Sequence, residues 1–239
     1  MVSLYHAMVA PWDIMRENLY MEDRRIFLID KPAGITSFDV IRVLRKKLGI
    51  KKMGHAGTLD PLATGLLIVG VGDGTKDLTK YIKLPKTYEA DILFGTKTDT
   101  GDTDGKVIEE RSAAHLSKED VVEALQKIIG THLFPVPFYS AIKVSGVRLY
   151  AHARKGDVIE LPKKEMTVST ASLISFRILG EKAVASVSLD VSSGTYIRTL
   201  AEEIGNILSL PATIQRLRRI RVGNFSINNA VPLSEIPDA

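Results

Sequence analysis

One segment of the sequence places a carboxylate in a loop that its neighbours make rigid. Residues 54–65 read GHAGTLDPLATG, with Asp60 directly before Pro61. Because proline biases the preceding residue toward an extended backbone, the loop is predicted to present the Asp60 side chain from a fixed position. A carboxylate held in this way can act as a nucleophile or as a general base. The alternative is an ordinary Asp-Pro turn in which Asp60 only caps the backbone.

Two basic clusters could bind the phosphates of a polyanion. The first lies between residues 41 and 55 and contains six cations without an acid, namely Arg42, Arg45, Lys46, Lys47, Lys51 and Lys52. The second contains Arg216, Arg218, Arg219 and Arg221. Closely spaced cations suit a polyanion with closely spaced phosphates, such as a nucleic acid. A solvated helix face for the first cluster and a salt-bridged strand for the second are the alternatives.

Composition narrows the possible chemistry. The chain has 239 residues, of which 45% are hydrophobic and 25% charged, and its net charge is +4. These values indicate a folded protein rather than a disordered one. Cysteine is absent, which excludes disulfides, thiolate nucleophiles and cysteine-bound metals. The five histidines show no close pair, so neither a metal nor another cofactor is predicted. No apolar run reaches a length of about 18 residues and no signal peptide is visible, which predicts a cytoplasmic protein without a membrane span.

The elements that must position these residues can be predicted from periodicity and turn signals. A helix is expected to begin at a Thr36 or Ser37 cap and to end at Gly49, and a loop follows over residues 51–64. The other predicted strands and helices are strands at 26–29, 66–71, 88–94, 166–178 and 183–191, helices at 75–84, 117–129, 147–155 and 196–208, and a strand or hairpin at 217–227. Because strands and helices interleave without a strict βαβ period, we predict an α+β fold around a mixed, largely antiparallel sheet flanked by helices. Residues 1–25 are interpreted as an extension of uncertain order, and residues 26–239 as a single catalytic domain.

Several motifs, taken together, resemble one enzyme family. The segment GHAGTLDPLATGLL resembles the central motif of the TruB family of pseudouridine synthases, which modify uridine 55 in the T-loop of tRNA. The resemblance extends from about residue 26 to the C-terminus, in the order and spacing of the family motifs. The other matching segments are LIDKPAGITS at 28–37, KTY at 86–88 followed by residues 95–105, PFYSAIK at 137–143, GTYIRTL at 194–200 and LRR at 217–219.

The resemblance implies roles for individual residues. It makes Asp60 the essential carboxylate, acting by attack on the sugar C1′, by addition to the base, or by assisting elimination. It makes Arg198 the charged partner of Asp60, and Tyr88 the residue that stacks on uracil and helps remove the C5 proton. Leu217 would pack on the other face of the base. Lys31 and Tyr196 would brace the site.

The resemblance also implies how the RNA is held. His55 would insert where flipped nucleotides leave the RNA stack, Lys76 would contact a phosphate, and Arg218 and Arg219 would bind backbone phosphates with the rest of the basic clusters. Residues 136–156 would form a mobile RNA-binding element. The partner is then the T-arm of tRNA, bound by a monomer without a metal or cofactor. Bacterial members of the family commonly carry a C-terminal PUA module, and this chain is expected to be a short form without it.

Two other functions are compatible with the sequence. A guide-RNA-dependent relative would use the same chemistry inside a ribonucleoprotein, although the short chain and the lack of long basic tails argue against it. An RNA-folding chaperone would bind tRNA without needing catalysis. The complete set of Asp60, Tyr88 and Arg198 favours the enzyme.

Overall fold

The computed structural model describes residues 26–144 and 146–238, so the predicted extension at 1–25 lies outside the described residues. The described chain divides into two compact units. The first contains residues 26–82 and 221–238, and the second contains residues 83–220. Each unit has its own strands and helices and carries its own share of the predicted site residues.

The first unit is built on three neighbouring strands with helices beside them. Its elements are β1 (Ile26–Lys31), α1 (Ser37–Leu48), β2 (Met53–Ala56), β3 (Thr64–Val71), a 3-10 turn (Gly72–Lys76), α2 (Leu78–Ile82), β13 (Phe225–Ser226), β14 (Val231–Pro232) and two short 3-10 turns (Ile227–Asn229 and Leu233–Glu235). The strand order is β14-β1-β3, and β2 also pairs with β3. The β1–β14 pairing is parallel, whereas β1–β3 and β2–β3 are antiparallel.

Helix α1 has well-defined ends. The Thr36 side chain accepts a hydrogen bond from the Asp39 backbone, and the Asp39 carboxylate accepts one from the Thr36 backbone, which forms a capping box. Gly49 ends the helix with a φ of 65°, a conformation that glycine adopts readily. The buried face of the helix contributes Val40, Ile41 and Leu44 to a core that also includes Phe27, Ile29, Leu67 and Val69. This apolar packing fixes α1 against the strands.

The second unit contains a five-strand sheet. Its elements are β4 (Lys86–Phe94), β5 (Thr96–Thr98), β6 (Val107–Glu110), α3 (Lys118–Lys127), β7 (Gly130–Pro135), β8 (Lys143–Val144), β9 (Val147–Arg148), α4 (Leu149–Lys155), β10 (Lys163–Leu179), β11 (Lys182–Val191), α5 (Ile197–Ile207) and β12 (Ala212–Val222), whose last two residues belong to the first unit. The strand order is β12-β4-β11-β10-β7. The pairings β4–β11, β11–β10 and β10–β7 are antiparallel, and α3 packs on β10 and α5.

Strict alternation along β4 sends every second side chain into the interior. Tyr88, Ala90, Ile92 and Phe94 are buried, and Lys86 shares their face because the side-chain period of a strand is two. The sequence predicts this strand from the same alternation, and the prediction is confirmed. One consequence is that a charged residue and a tyrosine lie side by side on an inward face.

The predicted α+β fold class is confirmed, while two local predictions need correction. Residues 53–56 form β2 rather than a loop; Met-Gly-His-Ala has little intrinsic strand preference, and pairing with β3 decides its conformation. The predicted helix at 75–84 is a 3-10 turn followed by the five-residue α2. The single catalytic domain stays a prediction.

Candidate active site

The loop that carries Asp60 connects β2 to β3 and is held by the start of α1. The Leu59 backbone N–H donates to Ser37 Oγ over 2.8 Å, and the same hydroxyl donates to the Leu59 carbonyl over 3.1 Å. Ser37 is 1% exposed, so water cannot replace these bonds. Asp60 itself is partly buried, and its carbonyl accepts from the Ala63 N–H over 3.1 Å. The residue before the carboxylate is therefore fixed by one buried hydroxyl.

The residue after the carboxylate is fixed by the turn that follows β1. The Pro61 carbonyl accepts from the Gly34 N–H over 2.9 Å and from Lys31 Nζ over 3.3 Å. Lys31 is fully buried, and its ammonium also donates to the Pro32 carbonyl over 2.7 Å. Gly34 has a φ of 83°, a left-handed conformation in which a side chain would be strained. Lys31 thus lies where it can brace the Asp60 loop, and the role that the resemblance implies for it stays a prediction.

The other predicted residues of the first unit are His55 and Lys76. His55 lies on β2 opposite Val69 of β3 and is partly buried. Lys76 ends the 3-10 turn after β3, is exposed, and forms an ion pair of 3.0 Å with Asp73. An exposed pair of this kind contributes about 0–1 kcal/mol, so Lys76 can exchange its partner for a phosphate at little cost. Both assigned roles stay predictions.

In the second unit, two neighbouring strands bring together the residues assigned to the base. Tyr88 lies on β4, and Leu217 and Arg219 lie two residues apart on one face of β12, the strand next to β4. Tyr88 is 8% exposed and Leu217 is 6% exposed. Arg219 Nη1 lies 3.5 Å from the Tyr88 hydroxyl oxygen. A phenol, an apolar side chain and a guanidinium therefore share one buried surface.

Arg219 is predicted to bind phosphates of the RNA backbone, and its burial contradicts this prediction. Its side chain is 1% exposed, because its position in β12 has the same inward direction as Leu217. Arg218 points to the other face and is partly buried. Arg216 is exposed and forms hydrogen bonds of 2.8 and 3.3 Å with the Asp91 carboxylate. The second basic cluster thus contains a buried arginine and an ion-paired arginine, which agrees with the salt-bridged strand considered for it.

Lys86 is a functional candidate that the sequence reasoning missed. It is 5% exposed and lies two residues before Tyr88, where it donates to the Leu84 carbonyl and, over 3.4 Å, to Ser193 Oγ. Burial, together with the positive charge of Arg219, lowers the pKa of Lys86 to about 8. The alternation along β4 could have identified Lys86, since it puts residue 86 on the same face of the strand as residue 88.

Arg198 occupies the first turn of α5 and is 6% exposed. Its Nη1 donates to the Thr100 carbonyl over 2.8 Å and lies 4.0 Å from an Asp102 carboxylate oxygen. Its Nη2 donates to the Tyr139 carbonyl over 3.1 Å. Because a guanidinium carries donors in a fixed fork, these two carbonyls set the orientation of its plane. The guanidinium is thus oriented by the polar turn at 99–105 and by the 136–156 segment.

The polar turn can approach Arg198 because residue 101 is glycine. Gly101 has a φ of 77°, and a Cβ at this position would lie 3.3 Å from the Cβ of Arg198 and 3.2 Å from the Glu202 carboxylate. The turn is also tied to β12, since the Ile214 N–H donates to the Gly101 carbonyl over 3.0 Å. Tyr196, the last predicted residue of this unit, is the N-cap of α5, and Lys164 Nζ lies 5.8 Å from the centroid of its ring.

The predicted residues thus fall into two sets. His55, Asp60, Lys31 and Lys76 belong to the first unit, and the second contains Tyr88, Tyr196, Arg198, Leu217, Arg218 and Arg219. The predicted pairing of Arg198 with Asp60 stays a prediction.

Over residues 26–144 and 146–238, no group of three or more His, Asp or Glu residues is arranged to hold a metal ion. No helix in the same ranges has the length and apolar composition needed to cross a bilayer.

The fold is similar to that of two solved protein chains. A chain from an H/ACA ribonucleoprotein bound to a substrate RNA containing 2′-deoxyuridine is similar over 93% of this chain, with a TM-score of 0.64 and 21% identity. A chain from a Cbf5-Nop10-Gar1 complex is similar over the same share, with a TM-score of 0.67 and 23% identity. This chain spans only about half of those two chains, 53% and 54%. At these identities the likeness shows the fold alone.

Sequence comparison identifies the family. A family model described as "TruB family pseudouridylate synthase (N terminal domain)" matches residues 45–197, and one described as "tRNA pseudouridylate synthase B C-terminal domain" matches residues 198–239. Because the first match covers more than half of the sequence, the chain belongs to the TruB family of pseudouridylate synthases. The predicted family and enzyme class, an isomerase, are confirmed.

Curated relatives agree with this family. A protein named tRNA pseudouridine synthase B from Corynebacterium glutamicum is 38% identical over 89% of this chain and 72% of its own length. Proteins of the same name from Endomicrobium trichonymphae and Thermobifida fusca are 39% and 41% identical. Their matches cover 90% and 88% of this chain and 91% and 73% of the relatives. The expected lack of a PUA module stays a prediction.

Proposed function

We propose that this chain converts uridine 55 in the T-loop of tRNA to pseudouridine, with Asp60 as the essential carboxylate. The observation that carries the proposal is the loop of Asp60, in which Ser37 holds the residue before the carboxylate and Lys31 and Gly34 hold the residue after it. The family match and the name of the curated relatives support the substrate, tRNA, and the reaction.

The reaction is an isomerisation, so its atoms balance without a second substrate. The bond between N1 of uracil and C1′ of ribose breaks, and a bond between C5 and C1′ forms. C5 loses its proton, and N1 gains one. Asp60 supplies a negatively charged oxygen for the first stage, whether it attacks C1′, adds to the base or assists elimination. A carboxylate held by a rigid backbone needs little reorganisation as it reacts.

The buried surface of the second unit suits the later stages. Tyr88 and Leu217 offer an aromatic ring and an apolar side chain to the two faces of uracil. The Tyr88 oxygen helps remove the C5 proton, and Arg219 Nη1 lies 3.5 Å from that oxygen. Arg198 supplies a permanent positive charge as the proposed partner of the Asp60 carboxylate.

Reaching a uridine inside a folded T-loop requires that the nucleotide leave its stack, which costs a few kcal/mol. His55 provides a flat ring that can stack in the vacated space, and the aromatic and basic residues of the 136–156 segment can close over the RNA. We propose further that the protein acts on the T-arm as a monomer in the cytoplasm.

Mass-spectrometric mapping of pseudouridine in an unmodified tRNA transcript tests the proposal. The protein alone should form one pseudouridine, at position 55, and none in a transcript that carries cytidine there. Asp60→Asn should lower the rate by roughly 10³-fold or more, with tRNA affinity changed by only a few-fold because phosphate contacts dominate binding.

The matched control is Asp104→Asn, which removes an exposed carboxylate and should behave like the unsubstituted protein. Modification at another uridine would contradict the assigned position, and an active Asp60→Asn protein would remove Asp60 from the mechanism. A protein that promotes tRNA folding but forms no pseudouridine would be the chaperone considered above.

A further inference from the structure

An exposed aromatic ring lies at the start of α1 among the cations of the first basic cluster. Phe38 is 47% exposed. The guanidinium carbon of Arg42 lies 5.0 Å from its ring centroid, and that of Arg45 lies 5.7 Å away. Arg45 is itself fixed, because it donates to the Met53 carbonyl over 3.0 Å. The ring is therefore held in place and yet open to solvent.

The structure separates the cations of this cluster into two kinds. Lys47 donates to the Ile236 carbonyl over 2.7 Å and lies 3.4 Å from Asp238, so it serves the packing of the first unit. Lys52 forms an ion pair with Asp73. Lys46 is exposed and makes no hydrogen bond or ion pair with the described part of the chain. Phosphate binding is therefore expected of the exposed members of the cluster and not of the whole cluster.

Phe38, Arg42 and Lys46 are spaced by four residues and so share one face of α1; we name them the α1 stripe. Arg42 is 67% exposed, and its one ion pair, with Asp39, is a surface pair worth about 0–1 kcal/mol. The Asp39 carboxylate is engaged in the capping box with Thr36, whose hydrogen bonds lower its pKa. The stripe thus presents an aromatic face and two available cations.

The α1 stripe begins beside the proposed catalytic loop. Phe38 directly follows Ser37, the residue that holds Leu59 next to Asp60. From Phe38 to Lys46 the helix advances by about 12 Å, at 1.5 Å per residue. A strand of RNA whose uridine reacts at Asp60 has its neighbouring nucleotides within reach of this helix. Stacking on aromatic rings combined with phosphate contacts is how proteins bind unpaired nucleotides.

We propose that the α1 stripe binds the RNA strand next to the reacting uridine, with Phe38 stacked on an unpaired base and with Arg42 and Lys46 on phosphates. This inference rests on the proposed function, because it takes tRNA as the RNA. Charge complementarity favours RNA as the occupant, because Arg42 and Lys46, the two available charged groups of the stripe, are cations. The stripe positions the substrate and takes no part in the chemistry.

The test compares two double variants that remove the same charge. Arg42→Gln with Lys46→Gln alters the stripe and keeps good helix formers, while Lys118→Gln with Lys127→Gln removes two exposed cations from α3. For the stripe variant we expect weaker tRNA binding and a slope of log K against log salt that is smaller by about 1.4–1.8. The α3 variant should keep the original slope, and both should keep kcat at saturating tRNA within a few-fold.

Phe38→Leu separates stacking from charge. It should weaken tRNA binding by roughly 5-fold to 100-fold, as expected for one lost base stack, and leave the salt slope unchanged. Equal slopes for the two double variants, together with unchanged affinity of Phe38→Leu, would overturn the proposal. Loss of binding to an acidic protein but not to tRNA would overturn it as well, in favour of a protein partner.

A crosslinking measurement needs no variant and so does not depend on folding. A tRNA with 4-thiouridine on either side of the target should crosslink to the peptide that contains residues 37–48. Crosslinks confined to other peptides would contradict the inference.

If the protein forms no pseudouridine but the stripe variants still lose tRNA binding, the proposed function fails while the RNA-binding surface stands. If the protein forms pseudouridine and the stripe variants bind tRNA normally, the RNA-binding surface fails while the proposed function stands.

Discussion

The two units hold their proposed functional side chains by different means. In the first, the loop of Asp60 is fixed through its backbone by Ser37 and Lys31, which lie only 22 and 30 residues earlier in the chain than the carbonyls they contact. In the second, the side chain of Arg198 is fixed by carbonyls 98 and 59 residues earlier. The carboxylate is therefore built into a local scaffold, whereas the guanidinium depends on segments brought together by the fold.

This difference has a consequence for dynamics. The Tyr139 carbonyl, one of the two acceptors of Arg198, belongs to the 136–156 segment that is proposed to close over RNA. Movement of that segment would change the hydrogen bonding of Arg198. We therefore expect substitutions around Arg198 to change turnover more than stability, and substitutions around Asp60 to change both.

Among the substitutions that test this difference between the units, Arg198→Lys is expected to have the largest effect. Lysine keeps the positive charge but cannot bond the Thr100 and Tyr139 carbonyls with a planar fork, so its charge is held in a different place. We expect kcat to fall by roughly 100-fold with little change in tRNA affinity, as measured by single-turnover kinetics and filter binding. A Lys variant with normal kcat would show that charge alone is needed and that the two carbonyls are incidental.

Ser37→Ala should have the next largest effect. It leaves the buried Leu59 N–H without its hydroxyl partner, which costs about 1–3 kcal/mol in the free energy of unfolding. Because the Asp60 loop then loses its support, turnover should fall by roughly 10-fold. Denaturant unfolding and single-turnover rates measure the two effects.

Ser117→Ala provides the matched control, since it removes a capping hydroxyl in the other unit. It should cost about 1 kcal/mol of stability and leave turnover unchanged. Equal losses of activity in both serine variants would mean that Ser37 acts only through general stability.

Gly101→Ala tests whether the close approach of the polar turn positions Arg198. A methyl group at this position is strained by the φ of 77° and would meet the Arg198 Cβ and the Glu202 carboxylate. We expect kcat to fall by several-fold as the polar turn shifts away from the guanidinium. Gly180→Ala imposes a similar strain, with a φ of 61°, where nothing lies within 4 Å, and should affect stability alone. If both variants lose activity equally, contact with Arg198 is not the cause.

The smallest effect concerns Lys86 and appears as a dependence of stability on pH. Its pKa is lowered to about 8 in the folded protein from the ordinary value of 10.5, so between these values the unfolded chain binds more protons. The contribution of Lys86 to the free energy of unfolding therefore increases as the pH rises through this window. Relative to Lys86→Met, the unsubstituted protein should gain on the order of 1–3 kcal/mol between pH 8 and 10.5.

Unfolding in denaturant at pH 7, 8 and 10.5 measures this gain. Lys127→Met, at an exposed position on α3, should show no comparable dependence. A stability difference between the unsubstituted protein and Lys86→Met that stays constant with pH would show that the buried ammonium keeps its ordinary pKa.

Local structure was the part of the molecule that could be predicted best. A cap at Thr36 or Ser37, the end of α1 at Gly49 and the alternation of β4 follow from neighbouring residues. The structure places the cap at Thr36 and confirms the other two. Strand β2 could not be predicted in the same way, because its four residues acquire their conformation from pairing with β3. The same distinction applies to the candidate site. Asp60 could be predicted from the residues of its own loop, whereas Lys86 was not predicted.

The sequence by itself determined the family motifs, the rigid Asp-Pro loop and the excess of basic residues, because each depends on residue types and short spacings. Only the tertiary structure decided which cations are available. It buries Arg219 beside Tyr88, ties Lys47 to the end of the chain and leaves Lys46 in solvent, although all three belong to basic clusters in the sequence. The physical reason is that burial and partner choice depend on which strand or helix face meets its neighbours, and those contacts join residues far apart in the chain.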